Sequence, residues 1–430
     1  MVLSKTNEKR FTEDFNQILK IVILNSLGFF YIGFLVPIIA RNNMGATGIQ
    51  LSLIVSFQVL GRMISGFITG FISDRVKSRT FLVLLGSFGR ALSYFIIYTA
   101  IITNFMILLG IGTFTLGFMA GIFWVPFNMF IAEKSNKNHR SHAYGKRDSA
   151  NAIGQIIGAL LGFILFMFSG VITDNPFVIY AAIPIYGIAN LIAGIRFHQK
   201  VDESIKFSED LFTKNNSLNK LNNNDKLFKS KVIILGVIFL MSALFLGSIN
   251  GSIARPFLNI YLLENIENNI NIVIWAYLPA GVLATLLAPK LGLIVDKLHP
   301  IIGITITSLL GALMTWLLIN SGNIWVFAIF LLFDLTIVIA AGLIFQNLVS
   351  RITIQHRGKI LGIGEFFAFL GNVIGPILGG IVWDFVGPKF PFIISIFVEL
   401  SLIPIYLGVV YLLIPHLTES YEIKKERECE

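Results

Sequence analysis

The sequence predicts an all-α membrane protein, with twelve transmembrane helices in two pseudo-symmetric six-helix bundles. Three observations carry that prediction. Of 430 residues, 55% are hydrophobic and only 13% charged, about half the charged share of an ordinary soluble domain. Apolar runs of 18 or more residues recur along the chain, each long enough to cross ~30 Å of hydrocarbon. The second half also repeats the first at a nearly constant offset, as set out below.

Taken in order, the predicted spans of the first bundle (18–196) are 18–40, 48–73, 81–102, 104–131, 147–169 and 175–196. Those of the second bundle (231–413) are 231–262, 270–295, 301–320, 323–350, 359–385 and 390–413. Residues 1–17 form a polar N-terminal segment, and 414–430 a charged tail. The stretch 197–230, rich in Lys and Asn, reads as a mobile linker. The first span follows Glu8, Glu13 and Asp14 and lacks a short apolar core with a small-residue cleavage site, so it reads as a retained helix. The lone cysteine, Cys429, excludes a disulfide framework and a cysteine metal cluster. Only one residue follows it, which argues against lipidation.

The net charge of +9 invites a nucleic-acid reading, but its placement does not. With the N-terminus inside, only Arg41, Arg255 and Lys389 of the 33 Lys and Arg fall outside, and Arg62 and Arg90 fall within spans. The remaining 28 (33 less three less two) lie at the inner side. Basic loops are retained on the cytoplasmic side. The charge is therefore topology: a multi-pass protein of the cell membrane, both termini cytoplasmic, with the lipid bilayer as its partner and no nucleic acid.

Self-similarity then fixes the halves. Arg140, Gly145, Gly154, Gly158 and Gly162 recur as Arg357, Gly362, Gly371, Gly375 and Gly379, each pair 217 apart. Asp148 and Glu365 share that spacing, as do Gln155 and Asn372. Pro37 and Pro256 are 219 apart, and Gly70, Asp74 and Arg75 recur 222 residues on as Gly292, Asp296 and Lys297. Two parallel repeats joined by a long inner loop predict a solute site near the midplane between them.

Two motifs carry the repeat. Gly70 and Asp74 share a helix face at the inner end of the second span, with Arg75, Lys77 and Arg79 following. Glycine admits a close neighbouring helix, and a carboxylate can meet a helix N-terminus. In the eleventh span, Gly362, Gly371, Gly375, Pro376, Gly379 and Gly380 form a groove with a bend. The fifth span copies it with Ala159 for the proline and Phe163 for the last glycine. Both copies predict tight helix crossing.

On these residues the chain resembles the major facilitator superfamily. Its signature after the second helix, Gly-x-x-x-Asp-Arg-x-Gly-Arg-Arg/Lys, is met by Gly70, Asp74, Arg75 and Arg79, with departures at Lys77 and Ser78. The resemblance implies that this loop gates the cytoplasmic side by contacts with the eleventh helix, with a weaker second copy at Gly292, Asp296 and Lys297. It also implies that spans one, four, seven and ten line the cavity. The glycine-proline run looks like one that drug-proton antiporters of the superfamily carry in the fifth helix. Another family motif, Arg-x-x-Gln-Gly in the fourth helix, is tied to proton coupling and is absent from Met106–Gly112.

Charges within the bilayer are functional candidates by default. Arg90 stands ten residues beyond Thr80, ~15 Å deep. Asp334 is about as deep, and Arg62 and Glu399 are also central. Asp334 binds a cation, titrates or pairs with an arginine. Arg62 attracts an anionic solute or pairs with Asp334. Arg90 and Glu399, on spans peripheral in the resembling fold, read as structural pairs. Glu365 and Asp148 suit helix N-termini. Trp124 and Asn128 share a face of span four with Gly117 and Gly121. The amides Gln155, Asn250 and Asn372, with Asn25, Tyr31, Trp275 and Tyr277, complete the candidate lining.

The predicted function is a secondary active transporter of a small organic solute, working by alternating access as a monomer. Efflux by proton antiport leads, with a proton or another ion as coupling partner; uptake of a sugar or metabolite is the alternative. A non-transporting receptor or scaffold is the rival class. No HExxH, Gly-x-Ser-x-Gly or Walker loop is present, and His139, His142 and His356 lack metal-ligand spacing. The chain therefore reads as no enzyme, with neither cofactor nor metal.

Overall fold

A computed structural model describes residues 10–73, 75–76, 78–136, 140–207, 231–295, 299–350 and 357–413. Among these, every regular element is a helix, apart from an isolated bridge between Phe11 and Ser135. Lipid offers no hydrogen bonds, and helices satisfy their backbone internally. Two compact units divide the chain, one ending at Leu211 and the other starting at Phe212.

In the first unit, α1 (Phe15–Ser26) and α2 (Phe29–Asn42) together make the first span, interrupted at Leu27 and Gly28. Then come α3 (Gly48–Ser73), α4 (Arg79–Ile102), α5 (Met106–Glu133), α6 (Arg140–Ile172), the single turn α7 (Pro176–Ile179) and α8 (Ala182–Lys200). In the second unit, α9 (Lys231–Ile253) and α10 (Arg255–Asn265) make one span, broken where Arg255-Pro256 follows Ala254. Proline lacks the amide proton and disfavours a helical residue before it. The remaining helices are α11 (Ile270–Val295), α12 (Pro300–Ile319), α13 (Ile324–Ser350), α14 (Arg357–Phe385) and α15 (Phe390–Leu413).

Eleven of the twelve expected spans are long and apolar enough to cross a membrane among the described residues. The sixth is α8, whose 19 residues include Arg196, His198 and Lys200 near its end. It buries Tyr186, Ala189, Asn190, Ala193 and Phe197 within the bundle. The expected linker also begins differently. Val201 is buried, and residues as far as Phe207, whose amide donates to the Glu133 carbonyl, lie against the first bundle.

The repeat-related glycines do the same work in each unit. A Cβ on Gly154 would lie 2.4 Å from the Ile23 carbonyl oxygen, and one on Gly158 only 1.7 Å from that of Leu27. In the second unit a Cβ on Gly371 would lie 2.4 Å from the Phe245 oxygen, and one on Gly379 2.1 Å from that of Ile253. A Cβ on Gly375 would lie 2.1 Å from the Ser252 hydroxyl and 2.9 Å from the Ile249 oxygen. Gly162 instead backs onto Tyr31 and Tyr186. Thus α6 lies backbone-to-backbone on the first span, and α14 on α9. Pro376 and Gly380 are buried within α14, and Gly362 lies in its first turns.

Two packing expectations change. Among the described residues, a Cβ on Gly70 or Gly145 would meet nothing within 4 Å. Both stand near helix ends, outside the crossing zone of their own bundle. Asp74, Asp296 and Lys297 of the signature lie outside the described residues, as do Lys77, His139 and His356. Gly292 falls in the last turn of α11.

Gly158→Val should therefore destabilise the protein by about 3 kcal/mol, because a side chain there collides with main chain that cannot step aside. Gly145→Ala, in open space, should be neutral or gain up to about 1 kcal/mol of helix propensity. Reversible unfolding in mixed micelles measures both.

Candidate functional site

Two interior clusters hold three of the four charged residues expected within the bilayer; the fourth, Arg62, is exposed. In the first unit Arg90 of α4 is fully buried. Its Nη1 donates to the Asn25 side-chain oxygen, and its Nη2 to the Asn25 carbonyl oxygen at 3.1 Å. Its guanidinium lies over Phe29 at 4.4 Å and Phe123 at 5.4 Å. The Asn25 amide donates to Asn190 Oδ1 at 3.1 Å, and that of Asn190 to the Tyr186 carbonyl at 2.9 Å. The expected pairing of Arg90 with an acid is not made among the described residues. Among the described residues the acids of the first unit are Glu13, Asp14, Glu133, Asp148, Asp174, Asp202 and Glu203, all at helix ends or in loops except Asp148. Asp148 itself is exposed and bonded to Arg147. A carbonyl, an amide and two aromatic faces take the place of a carboxylate.

In the second unit Glu399 of α15 accepts from the Asn250 side chain of α9, and Ser308 of α12 lies beside it. Ser395 donates to Asn250 Oδ1 at 2.8 Å. Asn250, expected in the lining, is thus bound to Glu399. Asp334 of α13 is half-buried and takes one hydrogen bond, from the Thr315 hydroxyl at 3.3 Å. Thr315 is its only hydrogen-bond partner among the described residues.

The remaining candidates separate clearly. Asn128 Oδ1 accepts from Arg147 Nη1 at 2.6 Å, and the Asn128 carbonyl from Tyr144 at 3.3 Å. Arg147 also holds Asp148 at 2.7 Å. Neither Asp148 nor Glu365 lies in the first turn of its helix, which overturns the N-terminal placement. Trp124 packs edge-on against Phe123 and Phe127 in the aromatic core. Gln155 and Asn372, the repeat-related amides, are both half-buried, and neither side chain has a hydrogen bond among the described residues. Arg62 is exposed on α3, and Arg75 is exposed just beyond it.

A third cluster closes one end of the first bundle. Arg79 grips Glu133 through both terminal nitrogens, at 2.7 and 3.1 Å. Lys134 is buried, and pairs with Asp14 and the Asp202 carbonyl. Glu203 accepts from the Thr80 amide at 2.8 Å, the Thr80 hydroxyl at 2.7 Å and Ser78 at 2.9 Å. The Glu203 carboxylate thereby closes the N-terminus of α4. Sequence reasoning reached Arg79 and missed Glu133, Lys134 and Glu203. Their signal was weak: a charge at a span end is the commonest place for one.

The geometry defines a class: a multi-pass helical membrane protein built from two repeated bundles, each with a polar interior cluster. The family model for the Major Facilitator Superfamily matches residues 19–353, and the chain belongs to that superfamily. It is a membrane transporter by family, not an enzyme. No curated protein sequence matches the chain. Among solved structures, it is similar to a bacterial homologue of the human lysosomal transporter Spinster, in an inward-facing, occupied conformation. Identity is 12% and the TM-score 0.72, covering 95% of this chain and 99% of that one. The nucleoside transporter NupG matches at 12% identity and TM-score 0.67, covering 93% and 99%. The transporter FucP in its outward conformation matches at 14% and 0.60, covering 93% and 98%. At these identities the likeness is one of fold.

The Glu203 anchor has a sign that can be tested. Partial burial works against its charge, but hydrogen bonds from Thr80, Ser78 and Arg79 outweigh it and hold its carboxyl below the usual range. A depressed pKa contributes stability above the unfolded value, and that stability is lost as pH falls through the folded one. Proteolysis near 201–207 should be slow at neutral pH and rise below the ordinary glutamate range. Glu203→Gln should raise cleavage at neutral pH and flatten the profile.

Proposed function

We propose that this protein is a secondary active transporter that moves a small organic solute across the cell membrane by alternating access of its two six-helix halves, with efflux by proton antiport. The observation that carries the coupling is Asp334, a carboxylate near the middle of the tenth span held by one hydroxyl. A charge at such a depth is expensive, and one so lightly bound is free to exchange a proton or engage a solute. The half-buried amides Gln155 and Asn372, placed alike in the two repeats, suit hydrogen-bonding to a solute. The distribution of Lys and Arg supports cytoplasmic termini, with the Arg79–Glu133 cluster on the cytoplasmic side. Sparse interior charge and abundant aromatic residues favour amphiphilic solutes over sugars.

Flux of neutral and cationic amphiphiles into proteoliposomes, with and without a pH gradient, tests this. The gradient should drive accumulation in the wild type. Asp334→Asn should lose that drive by at least about tenfold, the effect of ~1.4 kcal/mol, while solute exchange without a gradient survives. Gradient-independent flux with unaltered behaviour of Asp334→Asn overturns antiport. Uptake of a sugar or metabolite panel with no amphiphile flux overturns the solute class.

A further inference from the structure

The first span is interrupted at Leu27 and Gly28 with no proline there, since the one proline within it, Pro37, stands nine residues on. Leu27 and Gly28 keep right-handed dihedral angles, and Gly28 opens to ψ −7°. The break is thus a local slackening of a helix that simple sequence rules would continue. Something else must hold it open.

The second unit supplies a control. Gly154 lies on the Ile23 carbonyl and its repeat partner Gly371 on that of Phe245; Gly158 and Gly375 lie on those of Leu27 and Ile249. Both comparisons align the first span with the seventh at an offset of 222 at this level (245 less 23, and 249 less 27), three more than the spacing of Pro37 and Pro256 farther along. Position 28 then matches Asn250, where α9 runs unbroken to Ile253. Asn25 matches Gly247, and Arg90 matches Gly311 at 221. The half that lacks both the arginine and the asparagine has no break at this level. Its own break comes later, before a proline.

We propose that Arg90 is a positioning residue that holds the first span open at Leu27–Gly28 by taking the Asn25 carbonyl out of the helix ladder. Asn25 O is the acceptor that the Phe29 amide would use in a continuous helix. Arg90 Nη2 occupies it, Nη1 fixes the Asn25 side chain, and Phe29 covers the guanidinium from the far side of the break. The last turn of α1 presents the negative end of a helix dipole, which favours a cation there. That is how a buried arginine persists in a half with no interior acid to pair with it. On the other side α6 glycines admit the Ile23 and Leu27 carbonyls, so the slackened turn packs against α6 without a clash. If the transport reading holds, the break is a hinge within the first span.

Hydrogen exchange of the full chain in lipid nanodiscs tests the proposal without a substrate, so it stands or falls apart from the transport reading. In Arg90→Met the Asn25 carbonyl is released and the ladder can close. Exchange at residues 27–31 should then slow roughly two- to tenfold, the worth of one net hydrogen bond. Arg90→Gln, a polar and milder replacement, should shift exchange the same way. Arg90→Lys, which restores a cation at the helix end, should return it to wild-type values. An arginine that merely stabilises the bundle would give the opposite sign: faster exchange spread over α1, α4 and α8. That result, or unchanged exchange at 27–31 in both neutral variants, overturns the proposal.

Discussion

Hydrocarbon offers a backbone carbonyl no water, so helices that pack in a bilayer must bring main chain against main chain without leaving polar groups stranded. This protein meets that constraint with glycine. Along α6 and α14 the residues facing the first and seventh spans have no side chain, and the carbonyls of Ile23, Leu27, Phe245 and Ile253 fill the space. Contacts of this kind combine dispersion with weak Cα–H···O attraction. No hydrophobic effect drives helices together in lipid, so close approach is what holds each bundle. Gly154 and Gly158 recur as Gly371 and Gly375 because both halves meet the same constraint.

The interior charges obey a second rule. A buried ion needs hydrogen bonds and compensating charge or dipole, and removing one partner of a set is worse than never having had it. In the first bundle the cation Arg90 is met by a helix end, an amide and two aromatic faces. In the second Glu399 is met by the Asn250 amide and the Ser308 hydroxyl. Both solutions tie together the first, third and sixth helices of their bundle. Asp334 differs from both, with Thr315 as its one hydrogen-bond partner among the described residues.

Much of the fold was legible in the sequence, because its causes are periodic. Span lengths follow from bilayer thickness, and the 217-residue spacing follows from tandem copies of one packing solution. Gly154 and Gly371 could be named in advance because nothing but glycine fits a backbone crossing. What escaped was set by three-dimensional neighbours. Nothing local marks Asn25 as the receiver of Arg90, or Asn250 as the receiver of Glu399; both looked like candidates to meet a solute. The break at Leu27 carries no proline, so the cause proposed for it sits 63 residues away on another helix. Residues 201–207 looked like part of a mobile linker, yet Glu203 finds the N-terminus of α4.

The differences between the halves therefore separate into two kinds. Arg90 against Gly311 changes how a span is shaped: the cation takes a carbonyl, and the helix slackens where its partner stays straight. Asp334 carries the proposed coupling: with Thr315 as its one hydrogen-bond partner among the described residues, its carboxylate retains acceptor capacity that Glu399, held by an amide, has partly lost. A symmetric scaffold with identical interiors would have no reason to favour one solute or one ion. Because Arg90 and Asp334 stand on different helices and away from the shared glycine crossings, both differences leave untouched the packing on which the two bundles rest.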